Sequence, residues 1–229
     1  MIGSRPRGVL VVGAAGVFGR SVLEAFSAGG HRGVGAACPG AADAPPTAPG
    51  ATESRTDLVS ADVAREEEAE RLFETAVARL PGLDVVVWIA EGSRRGAGFA
   101  ETSLEDWEGT VSAPLREAGH VCRLAVSEFL STGEGGRIVL VAPPVTDGAP
   151  GQAGSAAASS ALAALGRSVA KEYGGRGIAC NVVLPRTGLP GAGAAGLPEA
   201  VLYLASAEAS YVNGECLRID VSSVDQGVI

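Results

Sequence analysis

Apolar residues in this chain follow two rhythms. Continuous runs of strand length occur at residues 8–12 (GVLVV), 84–90 (DVVVWIA), 136–142 (GRIVLVA) and 178–184 (IACNVVL), with weaker ones at 34–38, 58–61 and 215–221. An unbroken apolar run suits a strand covered on both faces. Between the runs, apolar positions recur at helical spacing. They do so over 20–27, over 65–79 with Leu72, Phe73, Ala76, Val77 and Leu80 on one side, and over 155–173 and 198–206. A further helix runs from Leu104 through Phe129 and is interrupted by Pro114. Acids crowd the start of the 65–79 segment, where a helix dipole favours them, and Asp62 is placed to cap it. Strand and helix alternate with no linker, repeat or composition break. The expected fold is therefore α/β: one doubly wound parallel sheet of about seven strands, helices on both faces, residues 1–229 forming a single domain.

The first run ends in Gly13-Ala14-Ala15-Gly16-Val17-Phe18-Gly19 and passes into a helix. Strand, glycine turn, helix is the opening of a Rossmann-type unit. The glycines either bring a helix N-terminus up to a pyrophosphate or let helix and strand pack closely. Residues 39–53 form an Ala/Pro/Gly loop with too little apolar bulk to pack, and residues 187–196 a short Gly/Ala connector.

Composition narrows the function. A formal net charge of -8 on 229 residues opposes binding to nucleic acid or an anionic membrane surface. No apolar run approaches the roughly 20 residues of a membrane span, and no leader pattern opens the chain, so a cytoplasmic protein is expected. Cys38, Cys122, Cys180 and Cys216 stand far apart in sequence, and with His31 and His120 they offer no metal-ligand spacing. They read as small buried apolar residues. Lys171 is the only lysine, and Asn181 and Asn213 are the only asparagines.

The series of motifs resembles the short-chain dehydrogenase/reductase family, especially its ketoacyl-carrier-protein reductases. Beyond the glycine turn it includes Asp62-Val63, Glu105-Asp106-Trp107-Glu108, Gly136-Arg137-Ile138-Val139 and Ala170-Lys171-Glu172-Tyr173. It closes with Asn181-Val182-Val183-Leu184-Pro185 and the segment LYLASAEASYVNGECLRID. The resemblance implies hydride transfer from a nicotinamide to a ketone. A tyrosine gives the proton, a lysine four residues on tunes it, a serine polarises the carbonyl and an asparagine organises a relay water. Here the match places Ala156 at the tyrosine, Ser160 at the lysine, Pro143 at the serine and Pro114 at the asparagine. No register restores the pair. Arg167 stands four residues before the sole lysine, and Tyr173, Tyr203 and Tyr211 all follow it.

The cofactor side departs as well. Val12 precedes the glycine turn, the second strand ends in Ala37-Cys38-Pro39 without an acid or arginine, and Trp88-Ile89-Ala90-Glu91 replaces the family's Asn-Asn-Ala-Gly. The indole and carboxylate are expected to crowd or repel a dinucleotide. The expectation is that no cofactor is required, with NADP or NAD held at best weakly at Gly13, Gly16, Gly19 and Asp62. Three functions follow. The first is a catalytically degenerate, structural or regulatory subunit of a polyketide or fatty-acid-type reductase assembly. It would pair with itself or an active ketoreductase through the 104–129 and 155–173 helices and the C-terminal segment. The second is a non-redox step (cyclisation, dehydration or isomerisation), with Glu91, Arg94, Arg95, His120 and Asp147 as candidates. The third is an NAD(P)H-dependent ketoreductase with an unorthodox donor, water or Ser155.

Overall fold

The computed structural model of the chain describes residues 7–38, 56–90, 98–144, 150–186 and 196–220. The strands are β1 (Gly8–Val12), β2 (Arg32–Ala37), β3 (Thr56–Ser60), β4 (Val85–Ile89), β5 (Gly136–Val141), β6 (Ile178–Arg186) and β7 (Cys216–Asp220). They form one seven-stranded sheet in the order β3-β2-β1-β4-β5-β6-β7, every neighbouring pair parallel. Parallel neighbours need crossovers. Helices occupy the other connections, α1 (Val17–Ala28), α2 (Glu66–Arg79), α3 (Leu104–Trp107), α4 (Ala113–Thr132), α5 (Ala153–Tyr173) and α6 (Leu197–Ala205), while most of the β2–β3 connection lies outside the described residues. This is the Rossmann-type sheet the apolar runs predict.

The two-residue period of a strand sorts the core into two layers. Val9, Val11, Val85, Val87 and Ile89 face α1 and α6, packing with Phe26, Leu197 and Leu204. Leu10, Val12, Val86 and Trp88 face the other way, toward Leu72 and Phe73 of α2, Phe129 of α4 and Leu162 of α5. Burying one such side chain contributes about 1.5–3 kcal/mol.

Two local expectations change. Asp62 does not cap α2: its carboxylate accepts the Ala64 N–H at 3.1 Å in a local turn, and its own N–H donates to Glu68 Oε2 at 2.8 Å. The helix starts after Arg65 without a side-chain cap, its N-terminal charge met by Glu66, Glu67 and Glu68. The interruption at Pro114 is a π-helical turn over Glu108–Ser112 between α3 and α4. Proline has no N–H for the carbonyl four residues back and its ring would collide with it, so widening the preceding turn relieves the conflict.

Candidate active site

The chain leaves β1 toward β2 on one side, and β4 resumes on the other, so the crevice at the carboxyl ends of β1 and β4 is the topological switch point. Gly13 follows β1 there with φ 84°, and a Cβ on it would stand 2.5 Å from the Ile89 carbonyl oxygen. Gly19 lets α1 close onto the turn: a Cβ there would overlap the Gly13 carbonyl and come within 2.7 Å of Ala14 Cα. Gly16 is different. Its φ of -69° suits any residue, and among the described residues a Cβ on it would meet nothing nearer than the Gly13 oxygen at 3.9 Å. It begins α1 with no side-chain cap and no acid in the first turn, beside Val17, which is 76% exposed. Uncapped amides over open space are what an anion needs at a helix start. Asp62 lies at the same carboxyl edge, just past β3.

Trp88 does not crowd this crevice. Its side chain is 1% exposed and packs in the α2, α4 and α5 layer, where its indole N–H has no hydrogen-bond partner among the described residues. Glu91, Arg94, Arg95 and Asp147 lie outside the described residues.

On the other wall, the face of α5 turned into the protein is one residue earlier than the sequence match places it. Ser155 and Ser159 are buried, at 2% and 6% exposure. Ser159 Oγ donates to the Ser155 carbonyl at 2.8 Å and lies 3.4 Å from the carbonyl of Pro143, just past β5. Ser160 is exposed and bonds back to the Ala156 carbonyl at 2.9 Å. Ala156 and Ser160 line a groove on the flank of α5 toward β7 instead. Ser155, the candidate donor of the third function, is thus inward, and Ser159 joins it; an Ala/Ser helix carries almost no apolar phase to mark either face. Pro114 sits in the first turn of α4. Lys171 is exposed in the last turn of α5, the end away from the crevice. Tyr203 and Tyr211 are 46% and 98% exposed.

His120 Nδ1 lies 2.9 Å from the Val63 carbonyl oxygen, a contact that puts the proton on Nδ1 and ties α4 to the connection before α2. No cluster of three or more metal-ligating groups occurs among the described residues. Three of the cysteines, distant in sequence, do meet. A hydrogen bond with Cys122, together with burial, holds the Cys180 thiol well above its ordinary pKa, with Cys216 adding to the shift. No helix among the described residues is long and apolar enough to cross a membrane.

This geometry is that of a Rossmann-type fold with its glycine turn at the switch point. A family model described as enoyl-(acyl carrier protein) reductase matches residues 13–196, and the chain belongs to the short-chain dehydrogenase/reductase family, with a ketoacyl-reductase-like character. It is 29% identical to 3beta-hydroxysteroid dehydrogenase 2 of Eggerthella lenta, over 93% of this chain and 92% of that protein. It is 29% identical to the 3-oxoacyl-[acyl-carrier-protein] reductase of Escherichia coli, over 92% and 94%. The 3-ketoacyl-(acyl-carrier-protein) reductase of Brucella melitensis, solved in complex with NADH, superposes with a TM-score of 0.82 at 21% identity, covering 94% of this chain and 97% of that one.

These findings overturn the expectation that no cofactor is required. The family model and several matched relatives carry reductase names, and a protein of the same fold has been solved with NADH bound. The local geometry fits such a ligand: the α1 start has no side-chain cap and could face a phosphate beside Gly16, and Trp88, expected to block it, lies in the core.

Proposed function

We propose that this chain is a dinucleotide-holding, ketoreductase-like protein that does not reduce ketones by the tyrosine mechanism. On this reading it serves as a structural or regulatory subunit of a polyketide- or fatty-acid-type reductase assembly. The observation that carries the reading is the inward face of the first turns of α5, where the buried hydroxyls are those of Ser155 and Ser159. An alkyl hydroxyl is a far weaker acid than a phenol, whose pKa is about 10. The sole lysine stands at the far end of the same helix and cannot tune it. Pro143 follows β5 and Pro114 opens α4, so neither supplies a donor to a carbonyl or a relay water. Loss of a general acid alone removes a factor of about 10²–10⁴.

A bound nicotinamide dinucleotide would bring a transferable hydride. The chain's own contribution is to hold it: the first amides of α1 face its phosphates, and Gly13 and Gly19 keep that helix start close to β1. Assembly is supported by small or half-buried residues on α5, including Ala157, Ala161 and Leu165, and by the C-terminal strand with Leu217 and Ile219. Small side chains let a partner helix approach closely.

The test is co-expression with a reductase encoded nearby, together with NADPH and NADH titration of the purified chain. Co-purification, nucleotide binding and no turnover of ketoacyl substrates support the reading. A chain that stays alone while the reductase is fully active and soluble without it refutes the subunit role. A second reading, reduction with Ser155 or water as proton donor, is favoured by the relatives' names. Ketone-dependent NADPH oxidation that is lost in Ser155→Ala would replace the first reading with it.

A further inference from the structure

β2 ends in Ala37, followed by Cys38, so no acid stands at its carboxyl end. A carboxylate at that place bonds the free ribose 2′-hydroxyl of one nicotinamide dinucleotide and repels the 2′-phosphate of the other. Here α1 brings a cation to the same corner, Arg20. Granted the dinucleotide-holding role proposed above, we propose that Arg20 makes this crevice select NADPH over NADH, its guanidinium receiving the 2′-phosphate at the end of β2.

Backbone and packing contacts place Arg20 there. The Gly13 and Ala14 N–H groups both donate to the Ala36 carbonyl of β2, at 3.0 and 2.8 Å, so the glycine turn leans on the last residues of that strand. A Cβ on Gly35 would stand 2.9 Å from Ala14 Cβ and 2.8 Å from Leu23 Cδ2, which lays the Leu23 flank of α1 over β2. Arg20 precedes Leu23 by three residues and therefore shares that flank, one turn nearer the helix start. The helix begins at the carboxyl end of β1, and β2 runs parallel to β1, so that turn lies toward the carboxyl end of β2. Side chains of a helix lean toward its N-terminus. Arg20 Nη2 accordingly reaches back to the Ala15 carbonyl in the glycine turn, at 3.4 Å.

That bond is long and its acceptor is neutral. Among the described residues no ion pair involves the Arg20 guanidinium, not even with Glu24 four residues on. Asp62, past the neighbouring strand β3, turns its carboxylate to the Ala64 N–H at 3.1 Å. A guanidinium carries five N–H donors in a planar fork, and a single bond to one carbonyl leaves most of them for a phosphate. Charge-assisted bonds to a phosphate are about twice as strong as the bonds a ribose hydroxyl could accept at the same place. The dinucleotide's pyrophosphate is common to both cofactors and falls to the first amides of α1, so a cation displaced toward β2 acts on the one group that differs.

The experiment is fluorescence titration of the full chain with NADPH and with NADH at constant ionic strength. NADPH is expected to bind about tenfold or more tighter than NADH. Arg20→Gln should abolish that difference by weakening NADPH alone. Arg20→Lys should keep part of it, because lysine retains the charge without the fork. Melting temperatures check that both variants fold, and the parent's own preference tests the proposal even where one does not. Gly16→Ala, which alters the place of the shared pyrophosphate, should weaken both dinucleotides together. Binding of neither dinucleotide overturns the dinucleotide reading itself. NADH bound as tightly as NADPH, or an equal loss of both in Arg20→Gln, leaves that reading standing and overturns the role of Arg20.

Discussion

The two glycines at the start of α1 make opposite predictions when each is changed to alanine. A Cβ at Gly19 would overlap the carbonyl of Gly13 and press on Ala14 Cα, both of them backbone. The helix must then retreat from β1, an overpacking that costs up to about 3 kcal/mol. Alanine's helix propensity returns about 1 kcal/mol within α1. The net loss is about 2 kcal/mol, which in a domain of this size lowers the melting temperature by roughly 4–8 °C. Gly16→Ala has no such neighbour, its nearest atom lying at 3.9 Å. Replacing glycine by alanine at a helix N-cap costs at most about 1 kcal/mol, or roughly 2–4 °C. Its added methyl group points instead into the space that a phosphate would occupy. NADPH affinity is expected to fall about tenfold, equivalent to about 1.4 kcal/mol. Differential scanning fluorimetry measures the first effect and fluorescence titration the second. If Gly16→Ala binds NADPH as the parent does, the phosphate-cradle reading is wrong. If Gly19→Ala melts unchanged, the close approach of α1 to β1 is wrong.

Introducing Ser155→Tyr with Ser159→Lys should produce measurable NADPH-dependent ketone reduction, whereas Ala156→Tyr with Ser160→Lys should not; the reverse result would restore the sequence-matched register. His31 should make stability pH-dependent. Burial, and then Arg7, lower its pKa below 6.5 against the opposing pull of Asp84, and its Nδ1 accepts the Arg7 N–H at 3.2 Å. The unfolded chain therefore binds the proton more readily, so this contribution is complete above about pH 6.5 and is lost as pH falls through the lowered value. Melting temperatures from about pH 7.5 to about 5.5 should decline less steeply in His31→Gln, and parallel curves would refute the assignment. Thiol titration of the native protein should label Cys38 and Cys216, both partly exposed, well before Cys122 and Cys180. Fast labelling of Cys180 would contradict its burial and its hydrogen bond with Cys122.

The sheet was legible because buried parallel strands leave apolar runs, and those runs match β1, β4, β5 and β6 to within a few residues. The same continuity hides orientation. In DVVVWIA every position is apolar, so nothing in the run says which face Trp88 takes, and its burial in the α2, α4 and α5 layer had to come from the fold. In α5 alanine and serine differ too little in hydropathy to set a helical phase, so the sequence does not mark Ser155 and Ser159 as inward. The loss of the tyrosine–lysine pair was legible all the same, because it depends on a count and not on a register. Contacts made only in the folded chain, such as Cys122 with Cys180, leave no local signal.

The two halves of the crevice are physically unlike. On the β1 side, neither the backbone angle nor packing requires glycine at position 16, yet the residue there leaves open space above uncapped helix amides. No described residue fills that space, and an anion is what amides at a helix start favour. On the β5 side, the α5 hydroxyl nearest the strand end is already spent. Ser159 donates to Ser155 within its own helix, so it offers no proton to a ligand without breaking that bond. Binding capacity and proton-transfer capacity are carried by separate elements in this fold, and a chain can retain one without the other. A nucleotide held without turnover would stabilise the folded state by mass action, about 2.7 kcal/mol at a hundredfold excess over its dissociation constant. Such a ligand would act on this protein as a structural effector rather than as a reactant.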